Sequence, residues 1–177
     1  MFRQRNPGIA YRRESLSEDV MKQRTLANWL KVLIIIVGLF GIAVYGFIIP
    51  ELGKDLAVGE FESWYYPWLI FLLGTAIPCF IALVFGWFIL SNIAADRSFC
   101  VENAKHLKAI SVLAAVDSVY FFVGNTVYLF LSMSHPGVFI LSFMLTMVGV
   151  TVSVASAAIS HLVLKAAELQ DQSDLTI

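Results

Sequence analysis

Four apolar runs, each long enough to cross a bilayer, constrain this 177-residue chain more than any other feature. A spanning helix needs about 20 predominantly apolar residues to cross roughly 30 Å of hydrocarbon. Hydrophobic residues make up 59% of the chain and charged residues 14%, so lipid is the expected solvent for most of its surface. The sequence therefore predicts an all-α integral membrane protein with four transmembrane helices in a bundle. The predicted spans are residues 26–49, 68–93, 109–133 and 138–164.

Basic residues flank these spans asymmetrically. A basic arm (residues 1–25) precedes the first span, and the segment 94–108 between the second and third spans carries Arg97, Lys105 and Lys108. The two other loops hold Lys54 as their one basic residue. Because Lys and Arg accumulate on the cytoplasmic side of membrane proteins, we predict that the arm, the 94–108 segment and the short acidic tail (165–177) are cytoplasmic. The predicted location is the cell (inner) membrane, with both termini inside.

Local signals predict where helices start, bend and end. Ser15 and Glu18 have the spacing of a capping box, which predicts a short cytosolic helix ahead of the first span. Pro50 is predicted to end the first span, and Pro78 to kink the second, because proline donates no backbone hydrogen bond.

Polar residues inside the third span predict the surface by which it meets its neighbours. Ser111, Ser118, Asn125 and Ser132 fall seven residues apart and therefore share one stripe of the helix, with Asp117 just beside it. An ionised carboxylate in hydrocarbon costs roughly 2.5–3.5 kcal/mol on insertion scales. We therefore expect Asp117 to face protein or water, or to be protonated.

The fourth span carries a second face of small and hydroxyl residues at helical spacing. Small residues let helix backbones approach closely in lipid, and hydroxyls bond across helices. This face is the expected neighbour of the third-span stripe. Its members are Ser142, Thr146, Gly149, Ser153, Ser156 and Ser160.

Signatures of catalysis are missing from the sequence. It contains no phosphate loop and no HExxH, GxSxG or CxxC motif. Asp117 has no basic residue at similar depth, although His161 could approach it or the start of the third helix; an interfacial histidine with a backbone partner is the simpler interpretation. His135 has no companion ligand nearby in sequence. We expect no enzyme activity, no metal site, no cofactor and no direct binding of nucleic acid.

The segment after the second span and the end of the chain resemble a known family. The pattern is similar to that of small bacterial four-helix membrane proteins catalogued as domain of unknown function 2975, from roughly the second span to the C-terminus. A small hydroxyl residue often follows the phenylalanine in that family, and here Cys100 follows Phe99, so we expect Ser98 to serve as the helix N-cap instead. The resemblance is carried by Arg97-Ser98-Phe99, Glu102-Asn103, Leu107-Lys108-Ala109-Ile110, Ala166-Ala167-Glu168-Leu169 and Asp174-Leu175-Thr176-Ile177.

The resemblance implies a non-enzymatic membrane regulator or sensor. Genes of the family often neighbour a very small helix-turn-helix regulator, which implies a membrane partner that binds or sequesters that regulator on the cytosolic side. A basic DNA-binding domain would complement the acidic tail. The predicted contact residues are Phe99, Glu102, Asn103, Leu107, Asp174, Leu175, Thr176 and Ile177, although Phe99 and Asn103 could equally lock the turn between the second and third helices.

A transporter or channel-like protein is the alternative function. It would use the intramembrane polar residues, above all Asp117 and Asn125 with Ser111 and Ser118, and the hydroxyl face of the fourth span. Because four helices rarely enclose a pathway alone, this alternative predicts a homo-oligomer.

Overall fold

Helices make up nearly all of the described structure. The computed structural model describes residues 7–56 and 64–174, with side-chain environments for residues 21–55 and 64–173. Within these residues, four helices are long and apolar enough to cross a membrane, and no strand is present, which confirms the predicted all-α class with four spans. The elements are α1 (Pro7–Ala43), a π-helical turn (Val44–Ile48), α2 (Ile49–Leu56), α3 (Tyr65–Ala94), α4 (Val101–Phe130) and α5 (Pro136–Asp174).

The first span continues past Pro50, so the prediction that this proline ends it is wrong. The π turn Val44–Ile48 comes directly before α2, and the amide of Ile49 donates to the carbonyl of Val44, five residues back. This wider turn gives room to the proline ring, which in a regular helix would clash with the carbonyl of Gly46. The helical run from Met21 to Asp55 is therefore the first candidate span.

Helix α1 also begins earlier than predicted. It starts at Pro7 and runs without interruption through Ser15, so the predicted helix start at Ser15 is wrong. Proline is favoured in the first turn of a helix, where its missing N–H needs no partner. The helix predicted to lie ahead of the first span and the first span itself are one continuous element.

Consecutive spanning helices pack antiparallel. A cation–π contact joins α1 to α3: the Lys31 ammonium group lies 5.2 Å from the centre of the Trp87 ring. Helix α4 lies between α3 and α5: Tyr128 donates to the carbonyl of Pro67 on one side, and Ser160 donates to the carbonyl of Ala104 on the other. The spans therefore follow one another in space in the order of the chain.

Most apolar side chains lie on the outside of the protein, as expected in lipid, and most of the few buried apolar residues lie at one end. This end, which we call the basic end, holds the turn between α3 and α4 together with the start of the first span and the end of α5. Each spanning helix contributes one buried apolar residue there: Ala27, Leu90, Ala104 and Ala167. Phe71 is the fifth buried apolar residue among the described residues and lies towards the other end.

Candidate functional sites: the basic end and the intramembrane polar residues

The turn at the basic end is held by Asn103. Its side chain is 1% exposed, accepts a hydrogen bond from Asn92 at 2.8 Å, and donates to the carbonyls of Arg97 and Ser98 at 3.2 and 3.0 Å. Asn103 therefore ties the last turn of α3 to the start of α4. Its burial supports the structural alternative for this residue and leaves it no surface to offer a partner.

Ser98 does not cap α4, so its predicted capping role is wrong. Cys100 occupies the N-cap position, with extended backbone angles and no side-chain cap hydrogen bond. The Ser98 hydroxyl instead accepts a hydrogen bond from Gln23 of α1 at 2.7 Å. Residues of α1, α3 and α4 thus meet at this turn.

The other predicted contact residues differ in accessibility. Phe99 is 57% exposed, Glu102 is exposed and Leu107 is partly exposed. Asp174 is the last residue of α5, and residues 175–177 lie outside the described residues. Because α5 ends at the basic end, Phe99 and the exposed Leu169 of α5 lie at the same end of the bundle.

The predicted stripe on the third span is buried against the fourth. Ser111, Ser118 and Asn125 are at most 8% exposed, whereas Ser132 lies beyond α4 in the following turn, with a positive φ of 55°. Ser153 donates to the carbonyl of Ser111 at 2.9 Å. The predicted pairing of this stripe with the small-residue face of α5 is confirmed.

Most polar groups in this seam are satisfied within their own helix. Ser118 donates to the carbonyl of Ala114, Asn125 to that of Phe121, and Thr146 to that of Ser142. The seam is also closely packed, because a Cβ on Gly149 would collide with the Ser118 hydroxyl. These groups bring two helices together and do not line an open path.

Asp117 faces the opposite side, towards α3. Its Oδ2 atom lies 3.9 Å from the sulfur of Cys79, and its Oδ1 atom is the one buried side-chain oxygen or nitrogen in the described residues that has no hydrogen-bond partner. Thr75, one turn before Cys79, hydrogen-bonds the hydroxyl of Tyr45 at 2.9 Å. Polar groups of the first three spans therefore meet around Asp117.

The part of the chain that contains these features matches a known protein family. The model of a family described as protein of unknown function (DUF2975) matches residues 51–177. The chain belongs to this family. It is also similar to the uncharacterized membrane protein YoaS of Bacillus subtilis (strain 168), with 24% identity over 153 residues, which cover 84% of this chain and 96% of that protein. No solved structure matches the chain.

For this member of the DUF2975 family, sequence and fold together identify a multi-pass membrane protein. The basic-end turn, Asp117 and the α4–α5 seam all lie in the matched region, whereas Tyr45 lies before it. In the described residues, no group of three or more His, Cys, Asp or Glu side chains is placed to hold a metal ion.

The polar neighbours of Asp117 could not be identified from the sequence. Thr75 and Cys79 are four residues apart and thus share one face of α3, but each is a small residue common in spanning helices. His161, suggested as a partner, follows Ser160, which bonds to Ala104. Ala104 precedes Asp117 by 13 residues, which at about 1.5 Å per residue places His161 about 20 Å along the helix from Asp117. Of the two predicted approaches, His161 therefore fits the one to the start of the third helix.

Proposed function

We propose that this protein is a non-enzymatic membrane regulator that binds a small cytosolic helix-turn-helix transcription regulator at its basic end. The observation that carries the proposal is the buried Asn103 network, which fixes a short turn and leaves Phe99 57% exposed on it. An exposed aromatic side chain on a fixed support loses little entropy on binding and is a common anchor of protein interfaces.

The end of α5 supports the same proposal. Leu169 is 66% exposed, and Glu168 and Asp171 are exposed beside it. Together with Phe99 they offer apolar contact and a local acidic surface, which is confined to the end of α5 and separate from the basic residues of the 94–108 segment. A basic DNA-binding domain matches this combination, because opposite charge steers association and apolar anchors slow dissociation. The proposal assumes that the basic end is cytoplasmic, as the distribution of Lys and Arg predicts.

The test is a crosslinking pull-down from native membranes with tagged protein. Deleting residues 170–177 is expected to abolish recovery of a small DNA-binding protein while membrane insertion stays intact. Phe99→Ala should weaken capture at least tenfold, since an aromatic anchor contributes about 2 kcal/mol or more.

The matched control is Phe130→Ala, which truncates an 84% exposed phenylalanine at the opposite end of the bundle. This variant is expected to capture the partner as well as the wild type. Equal capture by the full-length protein, the truncated protein and Phe99→Ala would contradict the proposed site.

A second candidate function, transport by an oligomer, has support from Asp117 alone. Its Oδ1 atom is buried without a hydrogen-bond partner inside a spanning helix. An ionisable side chain there is costly, and such residues usually have a functional role. The α4–α5 seam gives no such support, because its polar groups already have partners. Ser118, Asn125 and Thr146 are bonded within their own helices, and Ser153 and Ser160 donate to carbonyls of α4. Asp117→Asn is expected to abolish solute or proton flux in proteoliposomes, with Asp96→Asn as control; absence of flux with the wild type contradicts transport.

A further inference from the structure

Two irregular helix segments meet beside Asp117. The π turn Val44–Ile48 carries Tyr45, and α3 contains Pro78, which leaves the carbonyl of Gly74 without its usual helical donor. Single π turns inside helices occur frequently at functional sites, and helix breaks inside membranes are tolerated where they face protein or a polar site. Both irregularities lie at the level of the Tyr45–Thr75 hydrogen bond.

The polar groups at this level form a connected row. The Tyr45 hydroxyl is hydrogen-bonded to Thr75. Cys79 lies one turn further along α3, and its thiol is the donor to Oδ2 of Asp117. The first span is thereby linked through α3 to the carboxyl group on α4. Helix α5 contributes nothing to this row, because it packs on the other side of α4 through Ser153 and Ser160.

The carboxyl group of Asp117 lacks any charge partner. The one ion pair among the described residues joins Lys54 to Glu51, and Lys31 lies over Trp87, two helical turns beyond Cys79. The titratable groups that face Asp117 are Tyr45 from the first span and Cys79 from α3, and both are uncharged donors. An unpaired ionised carboxylate at this depth is costly.

The burial of Oδ1 limits which species can bind to this atom. This atom exposes less than 1 Å² of surface, so no ion that must keep several oxygen ligands can reach it without separation of the helices. A proton needs no such space. We propose that Asp117 is a proton-binding site inside the membrane, linked by Cys79 and Tyr45 to the contact between the first span and α3.

This inference deepens the second candidate function by naming the proton as the bound species, but it needs neither flux nor a partner to be tested. Gain or loss of the proton changes what the carboxyl group can accept from Cys79. The contact between the first span and α3 then differs between the two states. Failure of transport or of partner capture leaves the site itself open to direct measurement.

The experiment is pH-difference infrared spectroscopy of the full-length protein in lipid nanodiscs. Among the carboxylic-acid carbonyl bands that change with pH, one component is expected to be present in the wild type and in Asp96→Asn and absent in Asp117→Asn, while the bands of the other carboxyl groups remain. The same difference band in Asp117→Asn would overturn the proposal. If this variant does not fold, Asp117→Glu should move the band to a different frequency, and an unmoved band overturns the proposal as well.

Cys79 gives an independent readout, because Cys100→Ser leaves it as the single thiol. Labelling by the membrane-permeant reagent N-ethylmaleimide is expected to show a pH-dependent step that Asp117→Asn removes. Tyr45→Phe, which keeps the carboxyl group but breaks the link to the first span, should shift the step without abolishing it. An identical labelling profile in the Cys100→Ser and Cys100→Ser/Asp117→Asn proteins would contradict the link between Asp117 and Cys79.

Discussion

At the scale of single residues, Asn103 decides how the second and third spans are joined. Its amide side chain forms hydrogen bonds with the Asn92 side chain and with two backbone carbonyls of the turn. The same turn contains Asp96, which has a positive φ of 59°. Left-handed backbone angles are costly for most residues, and aspartate tolerates them better than most. The turn therefore depends on interactions that a buried amide provides.

Replacement of Asn103 by alanine is expected to lower the free energy of unfolding by about 2–4 kcal/mol, because the carbonyls of Arg97 and Ser98 lose a donor and the Asn92 amide loses its acceptor. Thermal unfolding in detergent measures the change. Lys105→Ala, at an exposed position on the same helix, should change stability by no more than about 0.5 kcal/mol. Equal stability of the two variants would mean that the Asn103 network does not hold the turn.

At the scale of helices, close approach explains the α4–α5 seam, and hydrogen bonds from Ser153 and Ser160 to carbonyls of α4 add to it. Gly149 faces the Ser118 hydroxyl, and the small buried side chains of Ser111 and Ser153 let the two backbones come near each other. Small residues are favoured in such interfaces because packing, and not the hydrophobic effect, drives helix association in lipid.

Gly149→Ala is expected to destabilise the protein by about 1–3 kcal/mol, since the added methyl group overpacks the seam. The matched control is Gly46→Ala, where a Cβ would meet nothing within 4 Å. Thermal stability in one detergent compares the two. A Gly149→Ala protein as stable as Gly46→Ala would show that α4 and α5 separate easily at this level.

At the scale of the whole molecule, the basic end unites features that lie far apart along the chain. Four buried apolar residues, one from each spanning helix, lie there together with Asn103. Along the rest of the spans, apolar side chains cover the outer surface and the α4–α5 seam stays buried. A protein built in this way holds one end in a fixed arrangement, which suits a surface that binds a partner.

The orientation of the molecule gives a direct prediction. In a variant with Cys79 and Cys100 replaced by serine, His135→Cys should react with a membrane-impermeant maleimide in intact cells. Ser173→Cys should react only after the membrane is opened, because α5 is expected to end in the cytoplasm. The reverse labelling pattern would show that the topology is opposite to the predicted one, and the proposed binding of a cytosolic partner at the basic end would then be wrong.

The sequence alone determined the class, the number of spans and the pairing of the third and fourth spans. These properties depend on run length and on seven-residue spacing, which are visible along one dimension. Helix continuation past Pro50, the burial of Asn103 and the separation of Asn125 from Asp117 were decided by the tertiary structure. The last two depend on which distant residue lies opposite: Asn92 beside Asn103, and α3 and α5 on different sides of α4. Continuation past Pro50 depends on the π turn before it, which no sequence signal indicated. The sequence named the polar residues, and packing decided which of them have partners.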